Sequence, residues 1–378
     1  MSAAAAAIDK SHKFLALDGI RGVAALFVVD VHVFDFFGVY FSRSYLAVDV
    51  FFLLSGFVIA HAYDARLAAR SLTARAFMGI RIARLYPMYL LSAALCALIL
   101  VGKLAADSTA DPRSLHDAVF ASALGLIALP FSLPGNPYLF PLNHPHWSLF
   151  FELVINAVYG VVRPRTSSHG MLVIALGGLL IAAVCAGYTG NLSLGVEWGA
   201  ASVIGGCGRA VFGIFLGAYL YQKREALSAR LGVSRGYWLP MLAIALAFMV
   251  PAFAGGAWIY DLAVVVLVFP LCILAAAQKE VRHGARVLSL LGVASYPVYL
   301  FHLPVAHVLA KLVPGGAAQY APFSGFALIA MLIVFSVVAE RIYDRPLRAW
   351  LRARLVDRGR TAPAAATAAT GAPSTGRA

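Results

Sequence analysis

Long apolar runs separated by short polar loops make up most of the chain. A helix that crosses a bilayer core of about 30 Å needs about 20 residues, and apolar runs near that length recur along the sequence. They predict spans at about 15–37, 46–63, 85–101, 147–162, 171–189, 203–221, 238–254, 258–277, 287–310 and 322–343. Alternating short strands do not occur, which argues against a membrane barrel. The pattern therefore predicts an all-α protein, a polytopic transmembrane helical bundle with about ten spans.

One further apolar stretch, about 117–134, is ambiguous. It contains Pro130 and Pro134 and leads into the proline-rich loop PGNPYLFPLNHPHW. If this stretch does not cross and the N-terminus is cytoplasmic, the cytoplasmic segments hold 25 of the 30 lysine and arginine residues. If it does cross, every later basic loop moves outside, against the positive-inside rule. We therefore predict that 117–134 is re-entrant or lies on the outer surface, and that both termini are cytoplasmic.

The two ends of the chain differ in composition from its apolar middle. Residues 1–13 are predicted to form a cytoplasmic segment before an uncleaved first helix, and 14–344 a transmembrane domain. Residues 345–360 are basic and amphipathic, so we expect them to lie along the inner membrane surface. Residues 361–378 are rich in alanine, threonine and proline with little to bury, which predicts disorder.

Charge and composition narrow the class of partner. Charged residues make up 12% of the chain, about half of what is usual for a soluble domain, while 61% are hydrophobic. The net charge of +13 would suit nucleic acid, but the basic residues lie in short loops, as membrane topology requires. We therefore expect a lipid bilayer and no nucleic acid. The cysteines lie in apolar runs without metal-ligand spacing, which predicts packing roles and no metal: Cys96, Cys185, Cys207 and Cys272.

The first predicted span carries four ionisable groups, in the stretch DGIRGVAALFVVDVHVFDFF: Arg21, Asp30, His32 and Asp35. Helix geometry places Arg21 and His32 about 20° apart around the axis and about 16 Å apart along it. Asp35 follows three residues later and could hold the imidazole. A cation at the inner end and an imidazole at depth suit an anionic carrier and proton or acyl chemistry. The alternative is a histidine that merely satisfies a hydrogen bond between helices.

Two other stretches carry candidate chemistry. Arg81 and Arg84 lie one turn apart at the inner end of the third span, where they could clamp phosphate or simply mark topology. Glu152 enters the membrane about a turn and a half below Trp147 and could orient a sugar hydroxyl or an imidazole. Trp147 itself could pack on a sugar or anchor the helix at the interface.

Further polar residues in or near spans are candidates for contacts with a substrate. Arg209 needs a buried anion, either a carboxylate or a bound substrate. The substrate-binding candidates are Trp147, Ser148, Asp49, Arg209 and His302. Small residues are instead predicted to allow close helix packing, at Ser55, Gly56, Gly213 and Gly217.

Six stretches in order resemble the integral membrane acyltransferase-3 family of acyl-CoA-dependent O-acyltransferases. They are LDGIRGVAALFVVDVH, VDVFFLLSGFVI, RIARLYPMYLL, HWSLFFELVINAVYG, SYPVYLFHLPV and ERIYDRPLR. The resemblance extends from about Phe14 to Trp350. One departure is the FFE run before Leu153, where the family usually has a more polar SxE.

The resemblance implies a bacterial inner-membrane enzyme. It implies that an acyl group, most often acetyl, passes from cytoplasmic acyl-CoA to a hydroxyl of a carbohydrate, such as an exopolysaccharide, O-antigen or lipid-linked sugar. By the same resemblance His32 and Glu152 match catalytic positions, and we add Asp35 to them. Cationic positions for coenzyme A are matched by Arg21, Arg81 and Arg84. A homo-oligomer is compatible with the sequence.

Two questions stay open at this level. His32 could act as a general base on the acceptor hydroxyl, or become acylated and relay the group, with Asp35 or Glu152 holding its tautomer. A transporter or flippase is the alternative class, because buried aspartate, histidine and arginine residues also suit transport.

Overall fold

Helices account for nearly all of the described residues. The computed structural model describes residues 14–106, 112–133, 135–232, 236–253, 255–277, 281–313 and 315–355. The helices are α1 (Leu15–Val33), α2 (Ser44–Ala68), α3 (Ala74–Ala106), α4 (Pro112–Leu126), α5 (His146–Val162), α6 (Ser168–Thr189), α7 (Ala200–Leu231), α8 (Trp238–Met249), α9 (Ala257–Ala277), α10 (Ala285–Leu312) and α11 (Phe323–Leu355). Across these ranges, isolated bridges take the place of strands.

Every predicted span coincides with a helix, and the all-α membrane bundle is confirmed. Within the described residues, seven helices are long and apolar enough to cross a membrane: α2, α3, α6, α7, α9, α10 and α11. The helices at the other three predicted spans fall short for different reasons. Helix α1 carries Asp18, Arg21 and Asp30 within 19 residues, α5 has 17 residues and α8 has 12. The number of crossings therefore stays a prediction.

The ambiguous stretch 117–134 does not form a long helix. Helix α4 ends at Leu126 after 15 residues, which is too short to cross a bilayer. Its last carbonyls are held by α3, because Tyr86 and Tyr89 donate hydrogen bonds of 2.7 and 2.6 Å to Leu126 and Gly125. Residues 127–133 and 135–145, which lead toward α5, form neither a helix nor a strand.

Helices α1 and α10 run parallel in close contact, and this pair carries the candidate site. A Cβ atom built on Gly19 would lie 2.6 Å from the Leu288 side chain, and one on Gly22 would lie 2.4 Å from Leu291. Real Cβ contacts are never that short, so the absence of side chains lets the two helices approach. Because the two helices are parallel, successive α1 residues face successive α10 residues from the N-terminal ends toward the C-terminal ends.

Helices α2 and α7 cross at the small residues that the sequence predicts to serve packing. A Cβ atom on Gly56 would lie 2.0 Å from the Ile214 carbonyl oxygen, and one on Gly217 would lie 2.1 Å from that of Leu53. A methyl group at either position would overlap backbone atoms. The packing roles of Gly56 and Gly217 are therefore confirmed.

The basic stretch after the last predicted span is not a separate element. Residues Arg345–Leu355 are helical and continue α11 without a break, through a π turn at Glu340–Asp344. This extension packs against the start of α3, where a Cβ atom on Gly79 would lie 3.5 Å from Leu355. The predicted N-terminal segment and disordered tail lie outside the described residues.

Candidate active site

His32 and His302 form a pair in the C-terminal halves of α1 and α10. The His32 Nδ1 atom lies 3.2 Å from His302 Nε2 and 2.9 Å from the Val28 carbonyl oxygen. The His302 Nδ1 atom lies 3.1 Å from the Val298 carbonyl oxygen. His302 is fully buried, whereas His32 is exposed.

These contacts assign a tautomer to each ring. A carbonyl oxygen only accepts, so His302 Nδ1 carries the proton that is donated to Val298. His302 Nε2 is then an acceptor, and His32 Nδ1 donates to it and to Val28. The remaining His32 nitrogen, Nε2, keeps its lone pair on an exposed ring edge. This is the state that a general base or a nucleophile requires.

Neither carboxylate predicted to hold this ring contacts it. Helix α1 ends at Val33, and Asp35 lies in a short 3₁₀ turn where it is exposed, so helical spacing no longer relates it to His32. Glu152 is bonded elsewhere. His302 takes the orienting place instead, although the sequence suggested it only as a substrate contact. The sequence shows His302 within SYPVYLFHLPV, but it does not show which α1 residue His302 faces.

Arg21 lies at the opposite end of α1 and also faces α10. Its guanidinium donates 2.9 Å to Ser295 Oγ and 3.2 Å to the Gly292 carbonyl oxygen, and pairs with Asp18 at 2.7 Å. Ser295 and His302 are two turns apart on α10. Arg21 and His32 therefore lie on the same side of α1, as helix geometry predicts.

Arg81 and Glu152 form a buried ion pair between α3 and α5. The Arg81 Nη2 atom lies 2.6 Å from Glu152 Oε1, and Ser55 Oγ donates to the same oxygen at 2.6 Å. The side chain of Arg81 is 7% exposed. The sequence placed Arg81 on a phosphate and Glu152 beside a ring or a sugar, and the structure instead brings the two together.

Arg84 differs from its neighbour one turn away. Its side chain is exposed, and with the described residues it forms no hydrogen bond or ion pair. It lies within electrostatic range of Arg21 and Arg81. Of the predicted cationic pair, Arg84 is thus the member whose charge is available to an anion at this end.

Asp49 and Arg209 neutralise each other in the protein interior. Arg209 donates from Nε and Nη2 to both Asp49 oxygens, at 3.0 and 2.7 Å, and from Nη1 to the Leu194 carbonyl oxygen at 2.7 Å. The guanidinium lies 5.3 Å from the Trp147 ring, and all three side chains are buried. Of the two anions left open for Arg209, the structure shows the carboxylate.

Ser148 is also buried and internally satisfied. Its hydroxyl lies 2.6 Å from the Tyr299 hydroxyl, and the two oxygens lie 3.2 and 3.0 Å from the Pro145 carbonyl oxygen, so one hydroxyl donates to the other and the second donates to Pro145. Ser148, Asp49 and Arg209 are thus bonded within the protein, and Trp147 packs beside the Arg209 guanidinium.

A buried polar node, formed by Ser92, Asn143 and His146, was not predicted from the sequence. The Asn143 amide nitrogen lies 3.0 Å from Ser92 Oγ, 3.1 Å from His146 Nε2 and 2.8 Å from the Leu300 carbonyl oxygen. The node joins α3, the loop before α5, and α10 two residues before His302. The neighbouring loop residue, His144, lies within electrostatic range of His32.

Burial, with smaller contributions from nearby histidine charges, lowers the pKa of His144 to about 4. His144 is therefore neutral at physiological pH and can both donate and accept a hydrogen bond. Across the described ranges, no three histidine, cysteine, aspartate or glutamate side chains are placed to hold a metal ion.

Comparisons with known proteins identify the family of the chain. A family model described as an acyltransferase domain, Acyl_transf_3, matches residues 14–340. The exopolysaccharide production protein ExoZ of Rhizobium meliloti (strain 1021) is 27% identical over 343 residues, which cover 85% of this chain and 95% of that protein. Protein 2 in the picA locus of Rhizobium radiobacter is 43% identical over 185 residues, 47% of this chain and 96% of that protein. No solved structure matches.

The family model covers most of the chain, including both ends of the α1–α10 pair. It decides between the two classes that the sequence left open, in favour of group transfer over transport. The chain belongs to the acyltransferase-3 family and is a multi-pass membrane acyltransferase.

Proposed function

We propose that this protein is an O-acyltransferase that moves an acyl group, most often acetyl, from cytoplasmic acyl-CoA to a hydroxyl of a surface polysaccharide. The name of one relative refers to exopolysaccharide production, which supports a polysaccharide as the acceptor. The observation that carries the proposal is the placement of Arg21 and His32 on one side of α1, both against α10. The two are about 16 Å apart along the helix.

The donor would be held by its phosphates at the inner end. Arg84 supplies an unpaired guanidinium there, and Arg21 adds a second cation that Asp18 only partly neutralises. Arginine suits this role because its planar group binds phosphate oxygens in pairs. The Arg81–Glu152 pair lies beside these cations and keeps α3 and α5 in place around them.

His32 would perform the transfer at the outer end. Its Nε2 lone pair takes the proton of the acceptor hydroxyl while the hydroxyl oxygen attacks the thioester carbonyl carbon. The C–S bond then breaks, and the proton passes from His32 to the departing sulfur. The products are an ester and the free thiol of coenzyme A. The same lone pair could instead attack the carbonyl first and form an acyl-histidine.

The cellular placement follows from the charge pattern and remains part of the proposal. Basic residues are concentrated in, and at the helix ends next to, the segments that join α2 to α3, α5 to α6, α7 to α8 and α9 to α10. The positive-inside rule then places these segments, Arg84 and both termini on the cytoplasmic side of an inner membrane. His32 lies toward the opposite side.

Transfer of radiolabel from acetyl-CoA to polysaccharide tests the proposal. We expect membranes with the wild-type protein to label the polysaccharide, and His32→Ala to reduce labelling at least about 100-fold, because general-base catalysis is lost. His283→Ala is the matched control, because this exposed histidine lies between α9 and α10, away from the pair. Equal labelling by His32→Ala at equal protein level would remove His32 from the mechanism.

A further inference from the structure

Tyr138 and His144 form a stacked pair of rings on the outer side of the protein. Their ring centroids are 3.6 Å apart with an interplanar angle of 30°. Both residues are half-buried, so the stack is packed on one side and accessible on the other. The sequence pattern predicts no role for either residue.

The stack lies beside the His32–His302 pair. The residue after His144 is Pro145, whose carbonyl oxygen accepts a hydrogen bond of 3.0 Å from the Tyr299 hydroxyl. The Tyr299 ring centroid lies 6.4 Å from that of His302. His144 also lies within electrostatic range of His32, which is consistent with this placement.

The loop that carries the stack is anchored on both flanks. On either side of Tyr138, the Leu139 amide donates to the Val196 carbonyl oxygen at 2.9 Å, and the Trp198 amide donates to that of Pro137 at 2.7 Å. Next to His144, Asn143 belongs to the buried polar node. The two rings are therefore held in place, as a binding wall requires.

We propose that the Tyr138–His144 stack is one wall of the acceptor subsite for a sugar ring. The aromatic surface would pack against the apolar C–H face of the sugar. The His144 imidazole would hydrogen-bond a hydroxyl next to the one that is acylated, and so present the latter to His32 Nε2. His144 is a positioning residue in this account. The inference rests on the proposed function, because it names the acceptor side of the same site.

Position favours an acceptor over the donor. The stack lies at the outer, histidine end of the α1–α10 pair, whereas the available cations lie at the inner end. Its chemistry also favours a sugar over a phosphate, because a neutral imidazole against a phenol ring offers no cation. The alternative is an aromatic pair that only anchors the protein at the membrane interface.

The ratio of the KM for polysaccharide to the KM for acetyl-CoA tests this assignment. The probe is polysaccharide from the producing cells, freed of its esters with mild alkali and titrated against purified protein with acetyl-CoA. We expect His144→Phe, which keeps the stack but loses the hydrogen bond, to raise the KM for polysaccharide about tenfold relative to the KM for acetyl-CoA. His144→Gln, which can still hydrogen-bond, should restore part of this loss.

The matched control is His116→Phe, on α4 at the same outer side. The His116 ring is largely exposed and contacts Asp117 at 3.4 Å. This variant should keep the wild-type ratio of the two KM values. Tyr138→Ala, which removes the stacking surface, should raise the KM for polysaccharide as His144→Phe does.

Failure of the inference can be told apart from failure of the proposed function. If wild-type protein does not acylate the freed polysaccharide, the proposed function fails and the inference fails with it. If wild type acylates it but His144→Phe and Tyr138→Ala keep the wild-type ratio of KM values, the stack is only an interfacial anchor. A change in kcat without a change in that ratio would equally overturn the assignment.

Discussion

The two ring nitrogens of His32 are not equivalent, and the packing of α1 on α10 decides which one is free. Nδ1 is occupied by Val28 and His302, so the lone pair lies on Nε2. A neutral orienting histidine replaces the carboxylate that commonly holds a catalytic imidazole. At the other end, Arg81 is paired with Glu152, whereas the exposed Arg84 forms no ion pair with the described residues. Single-residue contacts therefore separate groups that do chemistry from groups that hold the site together.

Substitution of His302 tests the orienting role at this scale. We expect His302→Leu to lower kcat by about 10-fold to 100-fold, because His32 Nδ1 loses its acceptor and the ring can turn. His302→Gln should retain more activity, since its amide oxygen can accept the same hydrogen bond. Asp35→Asn should stay within about twofold of wild type, because exposed residues without partners contribute little. A larger effect of Asp35→Asn than of His302→Leu on kcat would contradict the assignment.

Pairs of helices set the distances that the residues exploit. Gly19 and Gly22 bring α1 against α10, and this contact keeps Arg21 and His32 facing the same partner. Gly56 and Gly217 bring α2 against α7, which places Ser55 where it can hydrogen-bond Glu152. The π turn that continues α11 lets its basic end follow α3. The site thus depends on close helix contacts more than on loops.

A bulky residue at the α2–α7 crossing should disrupt the fold. We expect Gly217→Val to lower the melting temperature in detergent or abolish the monodisperse protein, because its Cβ would lie 2.1 Å from the Leu53 carbonyl oxygen. Gly177→Val, on the open side of α6 with no atom within 4 Å of a built Cβ, is the control. Fluorescence-detected size-exclusion and thermal melting measure both variants. Equal stability of the two variants would show that the crossing is looser than described.

Local periodicity explains how much of this arrangement the sequence predicts. The positions of the helices, the shared side of Arg21 and His32, and the packing glycines all follow from patterns within one helix. The partners of His32, Arg81 and Arg209 do not, because each is contributed by another helix far away in sequence. The end of α1 before Asp35 was missed because the apolar run continues through the 3₁₀ turn.

On the scale of the whole molecule, the proposed function places the two ends of the candidate site on opposite sides of the membrane. The available cations lie at one end of the α1–α10 pair, and the exposed histidine and the Tyr138–His144 stack lie at the other. The donor and acceptor would then never share a compartment. The coenzyme A phosphates would stay at the Arg84 end, while the pantetheine arm carries the thioester over the distance of about 16 Å along α1 to His32.

Sided membrane vesicles test this division most directly. We expect inside-out vesicles, which present the Arg84 side to the medium, to transfer radiolabel from added acetyl-CoA to polysaccharide enclosed within them. Right-side-out vesicles given the same acetyl-CoA outside should transfer none until they are permeabilised. Equal transfer by intact right-side-out vesicles would mean that acetyl-CoA binds from the His32 side, which contradicts the account.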